Sequence, residues 1–143
     1  MKSILGFAML LPVLLGSVSP ASAAITIYTD KAEYALDETV FISVHNDGPD
    51  DTAFSSWPFV YITEVNSGEC YYGCAGLPVV TEFPASTTAN DSWDVGASGA
   101  PPGTYRIEVN VLGTTVSTTV RVYEVLPTDS PAWSTIKAQY VGR

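Results

Sequence analysis

The stretch Thr104-Tyr105-Arg106-Ile107-Glu108-Val109-Asn110-Val111-Leu112 decides the fold. Tyr105, Ile107, Val109 and Val111 fall on one side, and Thr104, Arg106, Glu108 and Asn110 on the other. A period of two is that of a strand with one dry and one wet face. Gly113-Thr114 then supplies a tight turn, and Thr115 to Val125 turns Val116, Val120 and Val122 inward, so the two strands form a hairpin. Pro102-Gly103 launches the first strand and puts Tyr105 just inside its start. That is the place of a tyrosine corner in a two-sheet sandwich, or of an ordinary core tyrosine after a Pro-Gly turn.

The same pattern runs outward from this hairpin. Ile25 to Tyr28 opens the series with Ile25 and Ile27 inward, and Thr29 to Tyr34 reads as a polar crossover. From Thr39 to His45, Val40, Ile42 and Val44 face one way, and Phe41, Ser43 and His45 the other. Asn46-Asp47-Gly48-Pro49-Asp50-Asp51 is a turn. Phe59 to Val65 starts apolar on both faces, which predicts a central strand, and Asn66-Ser67-Gly68 ends it. Pro78 to Phe83 lies between prolines and reads as an edge or a sheet switch. Thr87 to Val95 carries Trp93, and Gly96 to Gly103 is a loop. Seven short strands in this span predict an all-β, immunoglobulin-like antiparallel sandwich over residues 24–125.

The 143 residues suit one domain. Six Lys+Arg stand against fifteen Asp+Glu, a net charge of −9. So acidic a surface repels phosphate backbones and anionic lipid, which speaks against nucleic-acid and membrane-surface partners. Residues 1–23 read as a secretory signal peptide: Lys2, an apolar run from Ile4 to Val18, then Ala21-Ser22-Ala23 with small residues before a cut after Ala23. The apolar run is short for a membrane span, an uncleaved N-terminal anchor being the competing reading, and no second apolar segment in the 120 residues after the cut is long enough to span a bilayer. An exported protein in the periplasm, at the cell surface or outside the cell is expected.

Cys70 and Cys74 are the two cysteines, and an even count after an export signal suggests a disulfide. Gly73 allows the tight turn that the short spacing needs. The bridge is expected to stiffen a protruding hairpin that displays Tyr71 and Tyr72. A redox pair would want the C-x-x-C spacing, and zinc would want more ligands than His45 can complete. His45, the single histidine, sits on an outward face beside a turn and reads as a solvated side chain rather than a general base. No nucleophile elbow or phosphate loop is present, so no catalytic residue, cofactor or metal is assigned. The acids Asp47, Asp50 and Asp51 could hold Ca²⁺ but do not have the EF-hand spacing. Asn90-Asp91-Ser92 fits a glycosylation sequon, a short match that arises by chance.

Aromatic side chains crowd the middle third: Trp57, Phe59, Tyr61, Tyr71, Tyr72 and Phe83. With Val60 and Ile62 inward, Phe59 and Tyr61 should face out and make rigid contact area for a partner or a sugar ring. The competing reading has loop 66–78 covering both faces of this strand. Glu64, Glu69 and Glu82 would make one side of the patch acidic.

Tyr28-Thr29-Asp30-Lys31-Ala32-Glu33-Tyr34, Glu38-Thr39-Val40 and Pro102-Gly103-Thr104-Tyr105 resemble bacterial extracellular immunoglobulin-like modules. From Phe41 to Val111 the chain is also similar to the BsuPI-type proteinase inhibitor family, through Val44-His45-Asn46, Tyr61-Ile62 before Gly68, Ser92-Trp93-Asp94 and Pro102-Gly103-Thr104-Tyr105. These motifs are structural and cover about half the chain. The resemblance implies a non-enzymatic immunoglobulin-like domain. That family is typically intracellular, whereas this chain carries an export signal, and inhibition through a protruding loop stands as the alternative function.

Residues 126–143 read as a linker and a C-terminal helical tail. Ser130-Pro131 resembles a helix start, and Trp133, Ile136 and Tyr140 share a face. That face either packs back on the sandwich or docks on another protein. The sequence therefore points to an exported binding module whose partner is a protein, a surface assembly, a protease or a glycan.

Overall fold

The computed structural model describes residues 24–126. Residues 1–23, read above as a signal peptide, and the tail residues Trp133, Ile136 and Tyr140 lie outside the described residues. Ten strands run in chain order: β1 (Ile25–Thr29), β2 (Glu33–Ala35), β3 (Thr39–Asn46), β4 (Thr52–Phe54), β5 (Val60–Glu64), β6 (Cys70–Tyr72), β7 (Thr81–Phe83), β8 (Thr88–Asp94), β9 (Gly103–Val111) and β10 (Thr114–Tyr123). A single helical turn, α1 (Val95–Ser98), sits in the loop before β9.

The strands form a sandwich of immunoglobulin type. One sheet has the order β1-β3-β8. In the other, β9 is central: β10 pairs along one side and continues to β2. On its other side β9 meets β5 from Tyr105 to Val109, then β4 at Val111. From there the sheet forks, β5 leading to β6 and β4 to β7. β1 lies against β10 and closes one side of the sandwich. On the opposite side β6 and β8 are both outer strands, so among the described residues the layers end unpaired there.

The count of strands exceeds the expected seven by β2, β4 and β6, of three residues each. They are too short to show alternation. β2 occupies the segment read as a polar crossover, and it pairs parallel to β10, so the sheet is mixed rather than purely antiparallel.

The alternation of the longer strands sets the core. Val40, Ile42 and Val44 from one layer meet Val60, Ile62, Tyr105, Ile107, Val109, Val120 and Val122 from the other, all fully buried. Burial of each such side chain is worth about 1.5–3 kcal/mol. Trp93 of β8 reaches across to Tyr105 of β9, with ring centroids 5.0 Å apart. Its indole N–H donates to Ser98 Oγ at 2.9 Å, so the buried donor is satisfied. The Tyr105 hydroxyl donates to the Pro101 carbonyl at 2.5 Å, four residues upstream, which makes this a tyrosine corner. Asn46 is the buried polar residue that closes the 46–51 turn: its amide donates to the carbonyls of Asp50 and Phe83, and its side-chain oxygen accepts from the Gly48 N–H.

Two expectations fail at the edge of the large sheet. Phe59 and Phe83 do not face out: they are 4% and 2% exposed. Phe59 precedes the first paired residue of β5, so the strand's alternation does not reach it. Its ring stacks on Phe54 at 4.4 Å, and Phe54 stacks on Phe83 at 4.5 Å. Three offset rings fill the core beneath β4 and β7, which have no aliphatic side chain large enough to do so.

Candidate functional site

β4 and β7 run antiparallel, and beyond Phe54↔Thr81 their ladder resumes at one isolated bridge, Trp57↔Leu77. The backbone N–H of each residue donates to the carbonyl of the other, at 2.9 and 2.8 Å. This bridge holds two large apolar side chains in water: Trp57 is 54% and Leu77 62% exposed, and Val79 and Val80 follow at 46% and 69%. Single exposed apolar residues are ordinary, whereas here Trp57 and Leu77 are held side by side by the bridge and Val79 and Val80 follow within three residues of Leu77. Trp57 tilts against Phe59 at 5.8 Å, so the patch continues into the aromatic stack below it. Trp57 was legible in the sequence. Val79 and Val80 were missed because Pro78 to Phe83 reads as a strand, and Leu77 because it falls in the loop before it. The available signal was an apolar run broken by Pro78, too irregular to bury.

The remaining aromatic candidates lie elsewhere. Tyr61 is half-buried on the outer face of β5, where it lines a shallow groove of about 440 Å³ with Ser56, Gly73, Cys74 and Glu108. The loop after β6 thus partly covers the outer face of this central strand.

Cys70 and Cys74 form a disulfide, with Cα atoms 5.8 Å apart. Gly73 has φ of +72°, and a Cβ there would lie 2.1 Å from the Val60 carbonyl oxygen. The cysteine loop is therefore pressed onto the start of β5 and does not protrude. Tyr71 and Tyr72 are half-buried and pack against the core, contrary to the expected display. The Tyr71 ring meets Tyr105 edge-on at 5.5 Å, and its hydroxyl donates to Glu69 at 2.8 Å. Hydrogen bonding to the Glu69 carboxylate raises the Tyr71 pKa. The Tyr72 hydroxyl crosses the unpaired side of the sandwich and donates to Asp91 at 2.8 Å. Burial, and then that carboxylate, push Tyr72 up to about 12.

Between β6 and β8 this leaves a groove of about 490 Å³, walled by Tyr71 and Tyr72 on one side and by Ser92, Trp93, Asp94, Ala97 and Ser98 on the other.

The acidic side chains expected beside the patch separate. Glu82 is exposed on β7 and Glu69 is exposed beside Tyr71. Glu64 is buried instead of lining a surface. Its carboxylate accepts from the Ser67 N–H, the Asn66 N–H and the Asn66 amide. These donors, the Ser67 N–H above all, hold Glu64 below the usual carboxylate range.

The His45 ring packs edge-on against Tyr28 at 5.0 Å, and its Nδ1 lies 3.1 Å from the Thr88 hydroxyl. Among the described residues no carboxylate orients it, so the arrangement lacks the third member of a triad. Asp47 and Asp51 accept from separate partners, the Thr26 hydroxyl and the Ala85 N–H. Among the described residues no three acidic, His or Cys side chains converge on a metal-sized site. Nor is any helix among them long and apolar enough to cross a membrane.

No family model matches this chain, and no curated protein matches it. Solved structures share parts of its outline. The sporulation control protein Spo0M from Bacillus subtilis is 13% identical with a TM-score of 0.47, over 82% of this chain and 55% of that one. The alkylpurine DNA glycosylase AlkC from Pseudomonas fluorescens, bound to DNA with an abasic site analog, is 15% identical with a TM-score of 0.43, over 72% of this chain and 31% of that one. A β-glucosidase from Erythrobacter marinus is 13% identical with a TM-score of 0.39, over 72% and 16%. This chain spans about half or less of the length of each.

Proposed function

We propose that this chain is an exported, non-catalytic immunoglobulin-like binding module that works at the cell surface or outside the cell and holds a protein partner on the Trp57–Leu77–Val79–Val80 extension. The observation that supports this reading most is the Trp57–Leu77 bridge, where two backbone hydrogen bonds pin large apolar side chains in solvent. A pre-set, rigid aromatic-aliphatic surface loses little conformational entropy on binding, which is the property of an interface anchor. The disulfide fits an oxidising compartment, and residues 1–23 have the sequence pattern of an export signal.

The test places a photo-reactive benzoylphenylalanine at Leu77 in the producing cells, with the exposed Glu33 position on β2 as control. The expected result is a discrete adduct at Leu77 and none at Glu33. Adducts of equal yield at both positions, or none at Leu77, would overturn the assignment. A protease panel run in parallel addresses inhibition. Nanomolar inhibition abolished by Cys70→Ala/Cys74→Ala and untouched by Leu77→Asp would move the function to the cysteine loop.

A further inference from the structure

The groove between β6 and β8 lies on the unpaired side of the sandwich, away from the Trp57 extension. Its walls are aromatic through Tyr71 and Tyr72, and polar through Ser92 and Asp94. Carboxylates rim it: Asp94 is a lining residue, Asp91 accepts from the Tyr72 hydroxyl, and Glu69 accepts from the Tyr71 hydroxyl. Among the described residues no Lys or Arg lines it.

The described body is strongly acidic. Residues 24–126 hold three basic side chains, Lys31, Arg106 and Arg121, against fourteen acidic ones. Lys31 and Arg121 are paired with Glu38 and Glu33. Residues 127–143 have the reverse balance, with Lys137 and Arg143 against the single acid Asp129, and they also carry Trp133, Ile136 and Tyr140.

The chain enters that segment close to the groove. β10 ends at Tyr123, opposite Ala35, and Val125 and Glu124 border Leu36 and Asp37. Leu36 and Asp37 in turn touch Gly96 of α1: a Cβ there would lie 3.0 Å from the Leu36 carbonyl oxygen and 4.0 Å from the Asp37 Cα. Ala97, the next residue of α1, lines the groove. Trp133 is seven residues beyond Leu126, a reach of about 25 Å in extended chain, enough to pass along this short series of neighbours.

We infer that the groove between β6 and β8 is the docking site of this chain's own segment 127–143. In that segment Trp133 is the chemical match for the Tyr71–Tyr72 wall, and Lys137 for the carboxylates of Asp91 and Asp94. Aromatic contact and a cation beside carboxylates and ring faces are the interactions this lining can make. Such docking also covers the outer strands β6 and β8, which otherwise present unpaired backbone groups to other chains.

The test uses the full chain. Benzoylphenylalanine at Tyr71 is irradiated in dilute solution, and the products are digested and sequenced by mass spectrometry. The expected product is an intrachain link to a peptide from residues 127–143, whose yield falls at least threefold with Trp133→Ala or Lys137→Glu and is unchanged by Leu77→Asp. Links only to a second chain would show that the groove receives another copy, and links only to other segments, or none, would show that the tail is not there. Any of these overturns the inference. A readout free of the Tyr71 change is the amide spectrum of the full chain: Trp133→Ala should shift the resonances of Tyr72, Ser92, Asp94 and Ala97. No shift at these residues also overturns it.

Discussion

Replacement of Phe83 by alanine separates core aromatics from surface aromatics more sharply than any other change. Phe83 is 2% exposed and is the end ring of the Phe83–Phe54–Phe59 stack. Phe→Ala in a core costs about 3–5 kcal/mol, through lost burial and the cavity left behind. One stacked contact is lost as well, worth about 0.5–1.5 kcal/mol beyond area alone. Phe83 sits on an edge strand of three residues, and such a site collapses more readily than a central one. The lower end, about 3 kcal/mol, is therefore expected. A domain of this size loses about 4 °C of Tm per kcal/mol, which puts the shift near 12 °C. Trp57→Ala removes a side chain that is 54% exposed and should cost less than about 1 kcal/mol. Urea unfolding of both variants, followed by circular dichroism, gives the comparison. Equal losses, or a Phe83→Ala loss below about 1 kcal/mol, would refute the placement of the stack.

Four further outcomes follow from the same geometry. Tyr105→Phe deletes the hydroxyl bonded to Pro101 and should cost about 1 kcal/mol in the same urea assay, since the freed carbonyl lies where water can reach it. Cys70→Ala/Cys74→Ala opens a five-residue loop and should cost about 2 kcal/mol by chain entropy in the urea assay, and reduction of the parent protein should lower Tm as much as the double substitution does. Glu64 is held below its ordinary 4.5 by its N–H donors. Its contribution is therefore present above the unfolded pKa and lost as pH falls through the folded value, so Glu64→Gln should flatten the loss of stability below about pH 4.5. Tyr34 and Tyr105 are pushed up to about 12, chiefly by burial, as is Tyr72. Their contribution is complete below pH 10 and lost as pH rises through the folded value, so alkaline unfolding and tyrosinate absorbance should rise together between about 10 and 12.

The longer strands were legible because their side chains answer to one rule. Ile42 to His45 of β3 and Tyr105 to Val109 of β9 have a neighbour across the ladder on both flanks, so alternation there maps directly onto inside and outside. Tyr105 was legible for a related reason: a Pro-Gly turn fixes where the strand starts, and the hydroxyl then meets the preceding loop. The candidate site was less legible. Phe59 lies one residue before its strand, where alternation has no force, and its direction is set by Phe54, a residue of a three-residue strand with no pattern of its own. Glu64 follows alternation inward, yet a carboxylate at that position suggests surface. The Asn66 and Ser67 N–H groups and the Asn66 amide, folding back over it, make its burial tolerable. Tyr71 and Tyr72 were assigned to a protruding loop from their cysteine frame, but the contact of Gly73 with the Val60 carbonyl depends on how β6 pairs back onto β5, which the cysteine spacing does not encode. The bridge of Trp57 to Leu77 is equally non-local, and the apolar surface it creates has no local periodicity.

The two layers meet where Trp93 of β8 packs on Tyr105 of β9, residues from different sheets with centroids 5.0 Å apart. Nuclear Overhauser contacts between the Trp93 indole and Tyr105 ring protons in solution test the sandwich most directly. Strong cross-peaks between these rings, together with contacts from Phe83 to Phe54, are the predicted result. A Trp93 indole that shows contacts only to its own strand and to solvent would contradict the two-layer core on which the exposed Trp57–Leu77 surface depends.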